Sequence, residues 1–379
     1  MMSRKYGARF LSVCLGAVFC IQAPGAALAA SPEFARTAEE WAKLRDDVLE
    51  YGELEDLIHE YNPTVQNNAE EYNKTMKGVD FDDYSRQYLL QAEEYDQEAG
   101  DAATDVATIT AEMNAAQARN NAVIDEKDGI TVSWENELAE KKLVQQAQST
   151  MNSYYQLQQQ LVAAQKSREL TAANVTAVQN RQSVQMATQA DVLAAQQSLQ
   201  DADAQILSLT NQIESARKTL ITMTGWKQDA APEIKEMPDV DFDRLASFDP
   251  SADLAKAQEN DYTLKVDSRK AANVVNASNQ KIYADNVAND RQQIGVSLNT
   301  AYQSVKQAKS AYDEAVLNLE VSQRSMNMAS TQYSLGSISR LDYLQAESGY
   351  VSAQTGLEIK KLALLQAMED YSWIVKGVR

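Results

Sequence analysis

Apolar residues recur at alternating steps of three and four along three long stretches of the chain. In the second stretch large and small residues also alternate, and only Lys360 breaks the third. A period of 3.5 residues is typical of a coiled coil, whereas a helix buried in a globular core has a wider and less regular apolar stripe. The pattern therefore predicts long helices that pack in pairs. The seam positions are Val192, Ala195, Leu199, Ala202, Ile206, Leu209, Ile213, Ala216, Leu220 and Met223; Val305, Ala308, Tyr312, Ala315, Leu319, Ser322, Met326, Ala329, Tyr333 and Gly336; and Tyr343, Ala346, Tyr350, Ala353, Leu357, Lys360, Leu364, Ala367, Tyr371 and Ile374.

The chain contains the same unit twice. Gln182–Leu193 aligns with Tyr333–Leu344 at an offset of 151 residues, and Glu60–Gln66 aligns with Glu259–Lys265 at an offset of 199 residues. Because the offsets differ by 48, the first copy carries about 48 extra residues, in the region of residues 79–129. Repetition of this kind predicts a duplicated supersecondary unit.

The prolines divide the chain into two long helical regions. None lies between Pro63 and Pro232 and none follows Pro250, so both regions lack the residue that most strongly breaks helices. We predict an all-α fold made of two tandem long coiled-coil helical hairpins, with little or no β-structure. The predicted organisation is a leader at 1–29, a first repeat at 30–226 with an extra helical segment at about 79–129, a Pro-rich acidic connector at 227–253 and a second repeat at 254–379.

Each repeat has a recognisable turn between its two long helices. Gly336 can adopt the left-handed conformation that ends a helix, and Ser339 can cap the next helix, with Asp342 near its positive end. In the first repeat Thr188 and Asp191 fill the same capping roles. Because Gln185 stands at the position of the glycine there, we expect that turn to have a different geometry.

The N-terminus has the pattern of a secretory signal peptide. A cationic start precedes the apolar run Phe10–Ile21, which is followed by Pro24, Gly25 and small residues up to Ala29. The apolar run is shorter than the roughly 20 residues that a membrane-spanning helix needs. We expect the protein to be exported, to the outer membrane or a periplasm-like space of the cell envelope.

Few residues could carry enzymatic chemistry. Both cysteines, Cys14 and Cys20, lie in the leader, and the only histidine is His59, in a helical context where a surface or packing role is the simpler interpretation. The net charge of −19 disfavours nucleic acid and anionic lipid as partners. We predict that the protein is not an enzyme and has no catalytic residue, no metal ligand and no cofactor.

The two tips in register with a duplicated rod resemble the TolC family of outer-membrane efflux ducts, over roughly residues 50–377. In that family a tip of the form Tyr-x-x-Gly-x-x-x-x-x-Asp-x-Leu precedes a return helix that ends near a glycine. The residues that match are Tyr333, Gly336, Asp342, Leu344 and Gly377 in the second repeat, Asp191, Leu193, Leu220 and Gly225 in the first, and Asn62-Pro63 at the start of the first family helix.

The resemblance implies a passive efflux duct, in which the helices of a homotrimer form a hollow cylinder. It also implies that the tips dock on a periplasmic adaptor and an inner-membrane pump. The residues that it assigns to the docking tips are Val184, Thr188, Asp191, Leu193, Tyr333, Leu335, Gly336, Ile338, Arg340, Leu341, Asp342 and Leu344. Asp342 matches one of two aspartates that narrow the family's entrance, but the second position is Gln345, and Ile338 stands where a linking arginine is found in the family.

The lack of long alternating strands leaves the interpretation open. The family enters the outer membrane through long alternating strands, whereas Gly129–Trp134 and Gln293–Leu298 alternate for only six residues each. Membrane association therefore stays undecided, and a coiled-coil envelope scaffold or spacer is the alternative function. A second apolar stripe favours the duct over the scaffold, because we expect it to face neighbouring subunits. Its residues are Leu341, Val351, Leu362, Leu365, Met368 and Val375.

Overall fold

The structure is a computed structural model that describes residues 36–124, 127–227, 229–274 and 277–379. The leader predicted at 1–29 lies outside these ranges. The described helices are α1 (Ala38–Lys43), α2 (Leu54–Tyr61), α3 (Pro63–Thr75), α4 (Phe81–Asp101), α5 (Asp105–Ile124), α6 (Gly129–Ser183), α7 (Gln189–Met223), α8 (Phe242–Ala246), α9 (Pro250–Asn260), α10 (Tyr262–Asn273), α11 (Ala277–Ser334) and α12 (Arg340–Val375). A 3₁₀ turn covers Tyr51–Glu53, and two short strands, β1 (Val48–Leu49) and β2 (Glu233–Ile234), pair in parallel.

The predicted all-α fold with two long helical hairpins is confirmed. In the first repeat α6 packs along α7, and in the second α11 packs along α12. The outgoing helices have 55 and 58 residues, so each is about 80 Å long or slightly more. All predicted seam positions are buried or half-buried except Lys360 and, at the tip, Tyr333 and Gly336.

The two repeats also begin in the same way. A short helix meets the next one at a sharp bend, at Asn62 between α2 and α3 and at Asp261 between α9 and α10. Both residues cap the second helix: Asn62 Oδ1 accepts from the backbone N–H of Thr64 at 2.9 Å, and Asp261 Oδ1 accepts from that of Leu264 at 2.7 Å. The offset of 199 residues therefore relates residues with equivalent structural roles.

Each return helix ends against the bend of its own repeat. Asn62 Nδ2 donates to the carbonyl of Met223 at the end of α7, and Asn260 Nδ2 donates to that of Val375 at the end of α12, both at 2.8 Å. The glycines that follow, Gly225 and Gly377, have φ values of 81° and 93°. A Cβ on Gly225 would overlap Tyr61 and one on Gly377 would overlap the backbone of Asn260, so the close approach requires glycine at both places.

The buried core lies at this end of the molecule, away from the tips. One cluster joins α2, α6 and α7 around Leu57, Met151 and Leu220, and it also takes in Trp373 from α12. The other joins α9–α12 around Leu298 and Tyr371. The segment between the repeats closes both clusters, because β2 pairs with β1 and α8 carries an arginine that bonds to α12. This segment is thus partly folded, and α9 already begins at Pro250.

The extra residues of the first repeat form a helical hairpin, α4 and α5. The two helices pack along each other, and neither makes more than marginal contact with any other described element. The hairpin leaves the repeat after α3 and returns at the start of α6. In the second repeat the corresponding step, from α10 to α11, takes only a few residues.

The second apolar stripe of α12 does not face outward as expected. Leu362, Leu365 and Met368 are buried within the chain, because α12 packs against α6 of the first repeat as well as against α11. Sequence periodicity identified the apolar face correctly but not the element that covers it. These three residues therefore give no argument for assembly of several copies, and the other three, Leu341, Val351 and Val375, are half-buried.

The two short alternating segments are helical. Gly129–Trp134 forms the first turns of α6 and Gln293–Leu298 lies inside α11. None of the helices in the described ranges combines the length and the apolar character that would let it cross a membrane.

Candidate functional site: the two helical tips

The second tip is a tight turn built on a left-handed residue. Gly336 has φ of 69°, its N–H donates to the carbonyl of Tyr333 at 2.9 Å, and the N–H of Ser337 donates to that of Gln332 at 2.8 Å. This pair of bonds is the Schellman motif, which satisfies the last carbonyls of α11. No atom lies within 4 Å of the position of a Cβ on Gly336, so the turn needs the glycine for its backbone conformation and not for space.

The first tip has the same geometry, which corrects the expectation that Gln185 would change the turn. Gln185 itself adopts the left-handed conformation, with φ of 62°, and it is the only non-glycine residue with positive φ in the described ranges. Its N–H donates to the carbonyl of Gln182 at 2.8 Å, and the N–H of Met186 donates to that of Arg181 at 2.7 Å. For a residue with a side chain this conformation costs about 1–2 kcal/mol. The backbone bonds at the end of α6 and the cap at the start of α7 hold Gln185 in it.

Capping boxes fix the start of both return helices. In the first tip the hydroxyl and N–H of Thr188 donate to Asp191 Oδ2 at 2.8 Å each, and the N–H of Asp191 donates back to Thr188 Oγ1 at 3.2 Å. Ser339 and Asp342 repeat the arrangement in the second tip, with 2.8 Å between Ser339 Oγ and Asp342 Oδ2. These bonds stabilise the ionised carboxylates and lower the pKa of Asp191, chiefly through the backbone of Thr188, and of Asp342, chiefly through the Ser339 hydroxyl.

Large apolar side chains point into solvent at both turns. Val184 and Met186 are 62% and 70% exposed in the first tip, and Leu335 is 75% exposed in the second. A turn that only connected two helices would be expected to carry polar residues at such positions. Met186 was not among the candidates from sequence; its signal was its place directly after the left-handed residue, the place that Ser337 takes in the second tip.

The other predicted tip residues divide between solvent and the ends of the coiled coils. Leu344 is buried, Ile338 and Leu341 are half-buried, and Leu193 is 55% exposed on the outer face of α7. Tyr333 stacks on Tyr343 across the second tip, with ring centroids 4.9 Å apart. This stack closes the end of the seam between α11 and α12, so Tyr333 has a packing role there.

The residues suggested for an entrance constriction lie on the first turns of α12. Asp342 and Gln345 are both exposed, as is Arg340 of the predicted docking tip. The carboxylate of Asp342 is held by the cap of Ser339. The geometry of one chain therefore gives Asp342 a capping role, and a constriction made with Gln345 stays a hypothesis about several copies.

The two tips lie at the same end of the molecule. Lys166 of α6 forms an ion pair with Glu347 of α12 at 2.7 Å, and Asn152 Nδ2 of α6 donates to the carbonyl of Leu362 at 2.8 Å. Lys166 is nearer than Asn152 to the first tip, and Glu347 is nearer than Leu362 to the second. The two rods therefore run side by side and present both turns together.

A groove of about 620 Å³ runs beside the rods between α6, α7 and α12. Most side chains that line it are polar and uncharged. They include Gln145, Gln146, Ser149, Thr150, Ser153, Gln212, Ser215, Thr219 and Gln366. The groove is open to solvent, and its charged lining residues are Lys142 and Asp370.

The remaining candidate for chemistry, His59, belongs to an ion pair. Its Nδ1 lies 2.8 Å from Glu140 Oε1, and the hydrogen bond to this carboxylate raises the pKa of the imidazole. Within the described residues no group of three or more His, Cys, Asp or Glu side chains is placed to hold a metal ion.

Several known structures share the helical architecture of this chain. A membrane protein from Pseudomonas aeruginosa is 12% identical and covers 84% of this chain and 90% of its own, with a TM-score of 0.52. The CusC transmembrane channel is 12% identical and covers 92% of this chain and all of its own, with a TM-score of 0.51. The outer membrane protein VceC from Vibrio cholerae is 11% identical over 86% of this chain and 96% of its own, with a TM-score of 0.49. No family model matches the sequence, and no curated protein does. At these identities the likeness concerns the fold, and the TolC-like fold predicted from the sequence is confirmed.

Proposed function

We propose that this protein is the duct component of an export system in the cell envelope, a passive conduit of three chains whose tips dock on a periplasmic adaptor and, through it, on an inner-membrane pump. The observation that carries the proposal is the pair of equivalent tips, each an ordered turn that presents large apolar side chains at one end of the molecule. An ordered apolar surface of this kind is typical of a contact site.

The fold supports the same conclusion. CusC, with which the chain shares its helical architecture over 92% of its length, is described as forming a transmembrane channel. A conduit also needs a polar wall, and the groove along α6 and α7 supplies uncharged polar side chains over several helical turns.

Docking is tested with Leu335→Asp, which places a charge in the most exposed apolar position of the second tip. Because Leu335 contributes nothing to the buried core, we expect unchanged helicity and unchanged oligomer mass but loss of binding to an immobilised periplasmic adaptor from the same organism. The matched control is Leu207→Asp, which changes a leucine of similar exposure (62%) in the middle of α7 and should keep adaptor binding. Equal binding by both variants and the unchanged protein would contradict docking at the tips.

The second candidate function, an envelope scaffold or spacer, gains support from one finding. Leu362, Leu365 and Met368 of the apolar stripe are covered by the chain's own α6. A single copy therefore exposes less apolar surface than its sequence predicted. A scaffold of single chains and a duct of three differ in mass, and this difference separates the two proposals.

A further inference from the structure

The hairpin of α4 and α5 has no counterpart in the second repeat and no part in docking at the tips. It joins the molecule between the end of α3 and the start of α6, whereas the first tip follows the end of α6. The hairpin and the tip are therefore separated by the full length of α6. With no other described element packed against it, the hairpin is held at its base alone.

One face of α5 packs against α4. Four alanines on this face are buried, and α4 contributes the buried Tyr84 and Ala92 and the half-buried Tyr88 and Tyr95. The small alanine side chains of α5 allow the two backbones to approach closely, and the tyrosines of α4 fill the space beside them. The buried alanines are Ala111, Ala115, Ala118 and Ala122. An ion pair between Arg119 and Asp96 joins the same two helices.

The opposite face of α5 carries a second seam that no described element of the chain covers. Val106 is 75% exposed, Ile109 56% and Met113 67%, and Ala116 is exposed as well. These four residues follow one another at steps of three, four and three, which is the spacing of a coiled-coil seam. At 100° per residue they lie on the side of α5 turned away from the alanines. A helix with two such seams can pack between two partners, and among the described elements α4 is the one partner that packs against α5.

The charges of the hairpin indicate what the second partner is. Along its sequence α4 carries seven carboxylates and one arginine, whereas α5 carries only Asp105, Glu112 and Arg119. The acidic α4 lies on the far side of α5 from the open seam. Copies of the hairpin can therefore bring their α5 seams together with the α4 helices kept apart, which avoids repulsion between the acidic surfaces.

We propose that the seam of Val106, Ile109, Met113 and Ala116 packs against the same seam of α5 in neighbouring copies of this chain, in parallel register. The hairpins then form a helical bundle at the end of the assembly opposite the tips. The number of hairpins in the bundle, three, rests on the proposed function; the pairing of like residues does not. A lipid surface fits the hairpin less well, because anionic headgroups would repel the carboxylates of α4.

Parallel register makes a sharp prediction for a single introduced cysteine. In the full chain with Cys14→Ala and Cys20→Ala, Met113→Cys leaves one thiol, and mild oxidation should convert most of the protein into disulfide-linked dimers. The control is Gln97→Cys, an exposed position on the acidic α4, which should stay largely monomeric under denaturing electrophoresis. Absence of the dimer for Met113→Cys, or equal dimer from both variants, would overturn the proposal.

A second variant tests the seam without cysteine chemistry. Ile109→Glu combined with Met113→Glu should remove the hairpin contact. Val106→Cys in this double variant should then no longer cross-link. Helicity should be unchanged, because the side chains of Ile109 and Met113 are exposed. Persistent cross-linking would contradict the proposal. It would also be contradicted if the unchanged protein bound neutral phosphatidylcholine vesicles and this variant did not. A trimeric mass without cross-linking at Met113→Cys would refute the hairpin bundle and leave the duct intact, whereas a single-chain mass would refute the duct's assembly itself.

Discussion

The two repeats use the same backbone wherever the chain changes direction, yet they are built from different residues and differ in what they add. The two tips have the same pattern of backbone hydrogen bonds, although one has Gln185 and the other Gly336 at the left-handed position. The bends are capped by Asn62 in one repeat and Asp261 in the other. By contrast, the first repeat alone carries the hairpin Phe81–Ile124. Duplication has thus preserved the turns that define the rods, while an insertion changed the end opposite the tips.

The largest expected losses of stability concern the glycine that follows the return helix in each repeat. In Gly225→Ala and Gly377→Ala the new Cβ would overlap the bend of the same repeat, and the φ of each residue is already positive. We expect each variant to lose about 3 kcal/mol of unfolding free energy or more. Chemical denaturation followed by circular dichroism measures the loss. The control, Gly336→Ala, meets no atom and should lose only about 1–2 kcal/mol. Equal losses at the three sites would mean that the close approach is not required.

A core substitution tests the rod of the second repeat. Ala315 lies half-buried on the seam of α11 between Tyr312 and Leu319. Ala315→Leu adds methylene groups where the two backbones approach closely, and we expect a cost of about 1–3 kcal/mol and a lower melting temperature. Glu314→Leu, at the neighbouring exposed position, is the control and should change stability little. A melting temperature unchanged by Ala315→Leu would show that the seam is assigned to the wrong register.

Much of this architecture could be predicted from the sequence, because it is encoded locally. The 3.5-residue period gave the seams, and Ser339 with Asp342 gave the cap of α12. The turn at Gln185 was predicted wrongly, because residue preference is a weak guide where two flanking helices dictate the conformation. Burial of Leu362 and Met368 could not be foreseen either, since periodicity shows which face is apolar and not which helix covers it. The exposure of Met186 likewise could not be predicted from the sequence, because it depends on the three-dimensional shape of the turn.

Exchange of the left-handed residues sharpens the comparison of the two tips. Gln185→Gly removes the strain of a side chain at positive φ and should stabilise the protein by about 1 kcal/mol, whereas Gly336→Gln should destabilise it by a similar amount. Both sites are exposed, so no other contact is lost. Differences in the denaturation midpoint at constant slope would measure the two effects. Effects of the same sign would show that the turns are not equivalent.

The smallest effect concerns a charge pair that only the first repeat has. His59 and Glu140 correspond, at the two offsets, to Gln258 and Arg291, where Gln258 Nε2 instead donates to a backbone carbonyl at 3.3 Å. The pKa of His59 is raised by its hydrogen bond to Glu140. The stabilisation is therefore complete below about pH 6.5 and is lost as the pH rises through the higher pKa of the folded state.

We expect this contribution to be at most about 1 kcal/mol, because both side chains are partly open to solvent. His59→Gln, which introduces the residue of the second repeat, should flatten the dependence of stability on pH between about 6 and 8. The measurement is a series of denaturation curves across that range for the two proteins. A dependence that persists unchanged in His59→Gln would have to come from other groups.

The duct and the hairpin bundle both require that identical chains assemble around a common axis, with tips at one end and hairpins at the other. The mass of the exported protein by sedimentation equilibrium, measured across micromolar concentrations, tests this claim most directly. We expect a mass of three chains that does not change with dilution in this range. A mass of one chain throughout would contradict both the duct and the hairpin bundle, and would leave a monomeric envelope scaffold as the function.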